Sequence, residues 1–572
     1  MDAADYIAKR LAELGVTHVY ELVGGMTTIM LDAISRRGDT QIICMHHEQA
    51  AGFAAEGHSR ITGLPAVAMA TSGPGATNLL TAVGSCFFDS VPALFITGQV
   101  NRHELKGDRG VRQLGFQETD IVTMAAPVTK GAWLINDPAE LPEILERAFL
   151  LAVSGRPGPV LLDIPMDVQR SPVPDFMPPV PQPAKSGECG HFLAQLQLAI
   201  AAAQRPLLLV GGGAAQTGCR QACRAFAEKM GIPVVCSLMA VDLLPDGHPL
   251  RVGLIGSYGN RWANTALARA DLVIVLGSRL DIRQTGADVA SFVAGKQIFQ
   301  IDVDAAELNN RIKSAVSLAM DLNGFCAAAA GVQTTKSIPR DWQESIVTDR
   351  QRWPDDRELD MGESINPNSL IKSLSVDPAA RSVAAYVSDV GQHQMWAAQS
   401  LRFAEGQRFL NSGGMGAMGF GLPAAIGACF AAERRPVLLI SGDGSLQINI
   451  QEMQTLHRNR MPVKIVVINN CCLGMVRQFQ ESYFNSRFQS TVVGYSAPSF
   501  SKVAAAYEID SAAISRPEEL IPALAALWRD PSAPYLLEVF VPSAANAYPK
   551  LAFGKPMSEM EPFSRPLDME GT

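Results

Sequence analysis

Short apolar runs, each about as long as one β-strand, recur along the chain and alternate with longer stretches of helical patterning. Leu207–Val210, Leu272–Leu276, Val437–Ser441 and Val463–Ile468 are almost continuously apolar. That pattern fits strands buried on both faces, as in a parallel sheet covered by helices, and not the alternation of a half-exposed strand. Gln41–Cys44 and Ala384–Ser388 read as strands too. The Ala- and Gly-rich stretch that follows His46 and His47 reads as a tightly packed helix with Glu48 in its first turn. Strands alternating with helices predict parallel α/β sheets. None of the apolar runs approaches the roughly 20 residues that a helix needs to cross a bilayer.

Two breaks divide this pattern into three α/β segments. Ser171–Gly190 carries Pro172, Pro174, Pro178, Pro179, Pro181 and Pro183, which suits an extended connection, and Lys336–Ser364 is polar and charged. The expected domains are 1–170, 190–335 and 365–550, with a tail over 551–572. At 572 residues, each can bury its own core. Lys and Arg number 48 against 56 Asp and Glu, a net charge of −8, and no basic stripe appears, so nucleic acid is not an expected partner. The acidic start, Met1–Asp5, lacks the positive region of a signal peptide, and the ten cysteines show no disulfide-scaffold spacing. Cys219/Cys223 and Cys471/Cys472 read as buried thiols, and a reducing cytoplasm is the expected location.

Candidate chemistry concentrates in the third segment. Gly442-Asp443-Gly444-Ser445 follows one buried strand and Asn469-Asn470 the next. Oxygen ligands at neighbouring strand ends would meet at the carboxyl edge of a parallel sheet, where α/β folds bind ligands. Mg²⁺ takes oxygen ligands and shares its shell with phosphates; Asp443, the Asn470 amide and the Cys472 backbone carbonyl would supply the protein's share. Gly442 and Gly444 let backbone approach a phosphate closely. Gly-Asp-Gly alone could equally be an ordinary acidic turn; the asparagine pair after the next strand favours the metal. The combination resembles the diphosphate-binding motif of thiamine-diphosphate (ThDP) enzymes.

The segment Glu48-Gln49-Ala50-Ala51-Gly52-Phe53-Ala54-Ala55-Glu56-Gly57 resembles the activating-glutamate motif of the same family. Without that resemblance, Glu48 would read as a helix-dipole complement. The resemblance makes it the carboxyl that bonds N1′ of the aminopyrimidine and relays a proton. Ser72–Asn78 resembles the family's pyrimidine-binding domain, which closes over the partner subunit's cofactor. Gln99, and Phe116 with Gln117, resemble signatures of the acetolactate synthases that line the reaction chamber; Phe116 could also be core. Gly391-Gln392-His393 resembles their diphosphate-contacting run. By the same resemblance the Gly416 carbonyl accepts from the 4′-amino group and Met418 wedges the cofactor into a V shape. Leu473, Gly474 and Met475 join the cofactor site, and Val476 and Phe479 the substrate side with Gly25.

In the middle segment, Gly211-Gly212-Gly213 ends a strand but lacks the full dinucleotide fingerprint. With Leu238, Met239, Gly256, Gly259, Gly277, Arg279 and Asp302, it resembles the FAD-binding domain of anabolic acetolactate synthases; a degenerate domain without ligand is the alternative. Departures fall where substrates are chosen: Leu22-Val23 stands for the family's Tyr-Pro, Phe479 for a tryptophan, and Ala319-Met320-Asp321 for Cys/x-Gly-Asp. The resemblance implies a carboligase dependent on ThDP and Mg²⁺, with FAD bound, that decarboxylates pyruvate and transfers the two-carbon unit to a second carbonyl. Pyruvate as acceptor gives 2-acetolactate. A keto-sugar or diketone acceptor is the alternative, and an FAD-dependent pyruvate oxidase the second. It also implies a homodimer or homotetramer, with a regulatory subunit possible and no membrane partner.

Overall fold

The computed structural model describes residues 1–177, 189–332 and 338–567. Three six-stranded sheets form, and all the pairings within them are parallel. The N-terminal sheet contains β1 (His18–Leu22), β2 (Gln41–Cys44), β3 (Ala66–Ala70), β4 (Ala93–Gln99), β5 (Gly131–Leu134) and β6 (Pro159–Pro165), in the order β2-β1-β3-β4-β6-β5. The central sheet contains β7 (Pro206–Val210), β8 (Val234–Cys236), β9 (Arg251–Leu254), β10 (Leu272–Leu276), β11 (Gln297–Asp302) and β12 (Val316–Ala319), in the order β12-β11-β10-β7-β8-β9. The C-terminal sheet contains β13 (Ala385–Ser388), β14 (Arg408–Asn411), β15 (Val437–Gly442), β16 (Val463–Asn469), β17 (Asp510–Ile514) and β18 (Tyr535–Phe540), in the order β14-β13-β15-β16-β18-β17.

The two outer sheets therefore share one strand order, an equivalence that the sequence does not display. The central sheet, read from β9, has the doubly wound order of dinucleotide-binding folds. In each sheet the winding first reverses between β1 and β3, between β7 and β10, and between β13 and β15; in the outer sheets it turns back again at the far edge, where β6 and β18 lie inside β5 and β17. Ligands bind outside the carboxyl ends of strands at such reversals. A glycine marks each first reversal. A Cβ on Gly24 would overlap Thr71, one on Gly211 would overlap Gly277 and Ser278, and one on Gly442 would lie 2.8 Å from the His393 ring.

Two helices with glycine and alanine where they cross lock the outer domains together. Glu48–Thr62 is capped by His47, whose ring nitrogen accepts from Gln49 N at 3.1 Å, and ends on left-handed Gly63. It crosses Gly421–Ala431 so closely that a Cβ on Gly57 would overlap the Ala424 backbone, and one on Gly427 the Ala54 backbone. Phe53 meets Phe420 edge-on at 5.6 Å beside this crossing.

The proline-rich connection lies largely outside the described residues. The second connection is not extended throughout. Arg340–Arg352 is a helix whose Trp342 is buried and donates from Nε1 to Pro206 O at 3.1 Å, so this stretch packs on the central domain. The tail packs back on the central domain. Lys550–Leu551 pairs with Met560–Glu561, and buried Arg261, held by Glu358, bonds the Met560 and Glu561 carbonyls. Among the described residues no helix is long and apolar enough to cross a membrane.

Candidate active site

Loops after β13, β15 and β16 converge at the reversal point of the C-terminal sheet. Asn470 follows β16 and donates from Nδ2 to Gln392 Oε1 at 3.0 Å; Gln392 in turn donates to Gln478 Oε1 at 3.2 Å. Gly474 fits under this bridge only because it lacks a side chain, since a Cβ there would overlap both amides. The Asn470 carbonyl oxygen accepts from Cys472 N at 3.3 Å. Asp443, buried at the end of β15, accepts from the Tyr495 hydroxyl at 2.8 Å. Burial raises its carboxyl to about 6.

These residues fit a divalent cation and a diphosphate. Among the described residues no three His, Cys, Asp or Glu side chains gather into a metal cluster. A cation held here would therefore have one carboxylate, from Asp443, and take its remaining oxygens from an amide, a backbone carbonyl and phosphates, which suits Mg²⁺. His393 adds an unspent polar atom. Its Nε2 is buried without a partner, its ring lies against Gly391 and Gly442, and burial lowers its pKa to about 3, so it is neutral. Ser445 Oγ accepts from Gly442 N at 3.2 Å and holds the turn.

A glycine-rich loop, 412–420, bends towards this cluster. Asp389, at the end of β13, accepts from Gly419 N at 2.9 Å and Gly421 N at 3.0 Å. Gly416 is left-handed, with open space around its α-carbon. Met418 stands over Gly444, its Cε 3.5 Å from where a Cβ there would sit. On the helix Gly474–Tyr483, Met475 packs inward, whereas Val476 and Phe479 are 51% and 40% exposed. Phe479 rests on Tyr483 at 5.0 Å. Leu473 packs so closely on Gly444 that its Cδ2 would lie 2.7 Å from a Cβ there.

The N-terminal sheet builds a second cluster at its own reversal point. Glu48 is buried at the first position of its helix and accepts from Asn78 Nδ2 at 2.9 Å; Gly75 leaves room beside its other oxygen. Gln117 adopts a left-handed conformation, φ +64°, against Gly73, and Phe116 is 80% exposed. Gly25 lies in open space, unlike Gly24. Gln99 is turned inward. It is 2% exposed, and its amide is spent on Ser72 Oγ (3.0 Å), Val100 N (3.0 Å), Thr119 O (2.8 Å) and Asp163 (2.8 Å). The Ser72 hydroxyl also reaches Gln117 O at 2.7 Å, so Gln99 supports the Gln117 loop from behind. Asp163, fully enclosed, is pushed up to about 7 by burial.

Between the domains lies a cavity of about 790 Å³, within the range of cofactor sites. Gly212, Gly213, Leu238, Met239, Gly277, Arg279 and Asp302 line it. Gly211, Gly256 and Gly259 do not. Their missing side chains allow backbone contacts instead, Gly256 against Arg283 and Gly259 against Ile255. Sequence reasoning missed Asn78, Asp389, Gln478 and Tyr495. Asn78 ends the Gly-rich run and sits one helical turn beyond Pro74, a signal that was present; Tyr495 comes from a distant loop and left none.

Fold and site define an enzyme of the thiamine-diphosphate class. The chain matches the thiamine pyrophosphate enzyme N-terminal TPP binding domain over residues 1–124, the central domain over 193–329 and the C-terminal TPP binding domain over 389–539. It is 35% identical to the acetolactate synthase large subunit of Corynebacterium glutamicum, covering 98% of this chain and 90% of that protein. It is 36% identical to the acetolactate synthase isozyme 2 large subunit of Escherichia coli K12 (98% and 99%) and 35% to acetolactate synthase 2, chloroplastic, of Nicotiana tabacum (96% and 84%). The chain belongs to the acetolactate synthase family.

Proposed function

We propose that the protein is a ThDP- and Mg²⁺-dependent carboligase that decarboxylates pyruvate and joins its two-carbon unit to a second carbonyl, with pyruvate as acceptor and 2-acetolactate as product. The observation that carries this reading is the Asp443–Asn470–Gln392–His393 cluster at the reversal point of the C-terminal sheet, facing Met418. Bound ThDP supplies the electron sink for decarboxylation. Asp443, Asn470 and the Cys472 carbonyl would hold Mg²⁺; Gln392 and His393 would face the diphosphate. Glu48 would hold a proton at N1′ of the aminopyrimidine, and the Gly416 carbonyl would orient its 4′-amino group. Met418 would fix the bend, and Phe116, Gln117, Val476 and Phe479 would exclude water around the substrates.

Two features support a site shared between subunits. Among the described contacts, no member of the Glu48–Asn78–Gln117 cluster touches the Asp443–Asn470–His393 cluster. Phe116, Val476 and Phe479 also leave apolar surface open in the single chain. A homodimer or a homotetramer of isologous pairs completes the site. The cavity is assigned to FAD. A regulatory small subunit belongs to the proposal because relatives are named large subunits. All ten cysteines are free thiols, in keeping with a cytoplasmic location.

The test gives purified protein ThDP, Mg²⁺ and pyruvate, alone and with a panel of ketones, and identifies products by mass spectrometry. Acetolactate from pyruvate alone supports the reading. Fast transfer only to an added keto-sugar or diketone would reassign the acceptor, with Phe479 the first residue to change. Pyruvate-dependent flavin reduction with acetate formation would make the protein an oxidase and overturn the reading.

A further inference from the structure

Gly413 and Gly414 are touched by all three domains. From the N-terminal domain, Asp89 accepts from Gly413 N at 3.0 Å and from Gly414 N at 2.6 Å. From the central domain, Met239 closes on Gly413, its Cγ 3.1 Å from where a Cβ would sit. The glycines themselves begin the C-terminal domain's loop, two and three residues before Gly416 and four and five before Met418. Arg60 grips the same loop at both ends: it donates to Asn411 O at 2.9 Å and lies over the Phe420 ring, 5.5 Å from its centre. Arg60 pairs with Asp89 at 2.7 Å and with Glu56, and the three side chains are 9%, 2% and 0% exposed. Such a network holds one geometry, because removing either partner leaves a buried charge unpaired.

Arg60, Asp89, Met239, Gly413 and Gly414 also line the 790 Å³ cavity. A group filling that cavity therefore presses on the side chains that set the loop's start, while Asp389 sets its end. We infer that Asp89 is a positioning residue that couples the central cavity to the Gly416–Met418 loop, so that a flavin nucleotide in the cavity tightens ThDP binding. The inference rests on the assignment of ThDP to the C-terminal cluster and of FAD to the cavity. The coupling is reciprocal, since linkage requires each ligand to raise the other's affinity by the same factor.

The experiment titrates ThDP with Mg²⁺ into cofactor-stripped full-length protein by calorimetry, with and without saturating FAD. In the wild type FAD tightens ThDP about tenfold, inside the roughly 5–150-fold range of two-site coupling. In Asp89→Asn both ligands still bind, but ThDP affinity is the same with and without FAD. Gly414→Ala, whose Cβ would meet Asp89 at 2.9 Å, leaves the charges intact and loses the coupling too. It carries the test if Asp89→Asn does not fold. Equal ThDP affinity with and without FAD in the wild type, or full coupling retained in the variant, overturns the inference alone. Failure of the wild type to bind FAD or ThDP would overturn the site assignments and the inference with them.

Discussion

The side-chain amide of Asn470 donates to Gln392 at 3.0 Å and so joins the loop after β16 to the loop after β13 across intervening β15. The bond fixes which atom of each amide faces the cluster: Asn470 keeps its carbonyl oxygen for a cation, and Gln392 is anchored through Gln478 to Ala547. A strand order that places β15 between β13 and β16 is what makes this bridge geometrically short.

Asp443→Asn removes the cluster's one carboxylate. We expect Mg²⁺-dependent ThDP binding to weaken by about 100-fold or more, because changes to outer partners alone cost about 10–100-fold. Tyr495→Phe, which deletes only the hydroxyl on Asp443, costs about tenfold on the same scale. Calorimetric titration in matched Mg²⁺ decides both; unchanged affinity in Asp443→Asn removes that residue from the metal site.

Glu48→Gln keeps the shape and the bond to Asn78 but not the carboxyl. Positioned acid–base groups contribute about 10²–10⁴-fold, so exchange of the cofactor's C2 proton for deuterium slows by that order. ThDP affinity changes little. Exchange at the wild-type rate, read by quenched-flow NMR, rules the assignment out.

Mixing two inactive variants tests the shared site. Glu48→Gln lesions lie in one cluster and Asp443→Asn lesions in the other. If subunits pair as proposed, subunit exchange yields mixed dimers with one intact site each, and activity returns to about a quarter of wild type or below, the share set by random pairing of isologous subunits. No recovery after demonstrated exchange would place both clusters in one chain's site.

Asp163 links stability to pH. Its carboxyl faces Thr97, Gln99 and Asp120, and burial raises it from the ordinary 3.8 to about 7. The folded state thus holds the proton more tightly than the unfolded one. The stability this contributes is complete below about pH 4 and is lost as pH rises to about 7. Asp163→Asn lacks that loss, so its stability relative to wild type improves by about 2–3 kcal/mol between pH 5 and pH 8. Denaturant melts at the two pH values measure it; a constant difference shows that Asp163 is ionised throughout.

Much of this was legible in the chain. Gln41–Cys44 and Leu272–Leu276 are strands with the bounds their apolar pattern implies, and Val437–Ser441 and Val463–Ile468 extend by one residue each. For the last three, legibility follows from burial on both faces, which leaves a continuous apolar run; Gln41–Cys44 is a partly exposed edge strand. Asp443 and Asn470 stood out because each follows such a run, whereas Glu48 stood out only through its family resemblance. The helix Arg340–Arg352 was not, because only Trp342 and Ile346 are buried and its remaining face is charged. Nor was the inward turn of Gln99, whose partners Ser72, Thr119 and Asp163 come from the loop after β3, the loop after Gln117 and the interior of β6. Tyr495 reaches Asp443 from a loop 52 residues away and Asp89 acts across domains, where sequence spacing carries no information about distance.

The most direct measurement follows carbon. Wild-type protein with ThDP and Mg²⁺ receives carbon-13-labelled pyruvate, and released CO₂ is counted against labelled products by NMR. The account predicts one CO₂ and one 2-acetolactate for every two pyruvates consumed, with no dependence on an electron acceptor. One CO₂ per pyruvate, with acetaldehyde or acetate as the product, would contradict it.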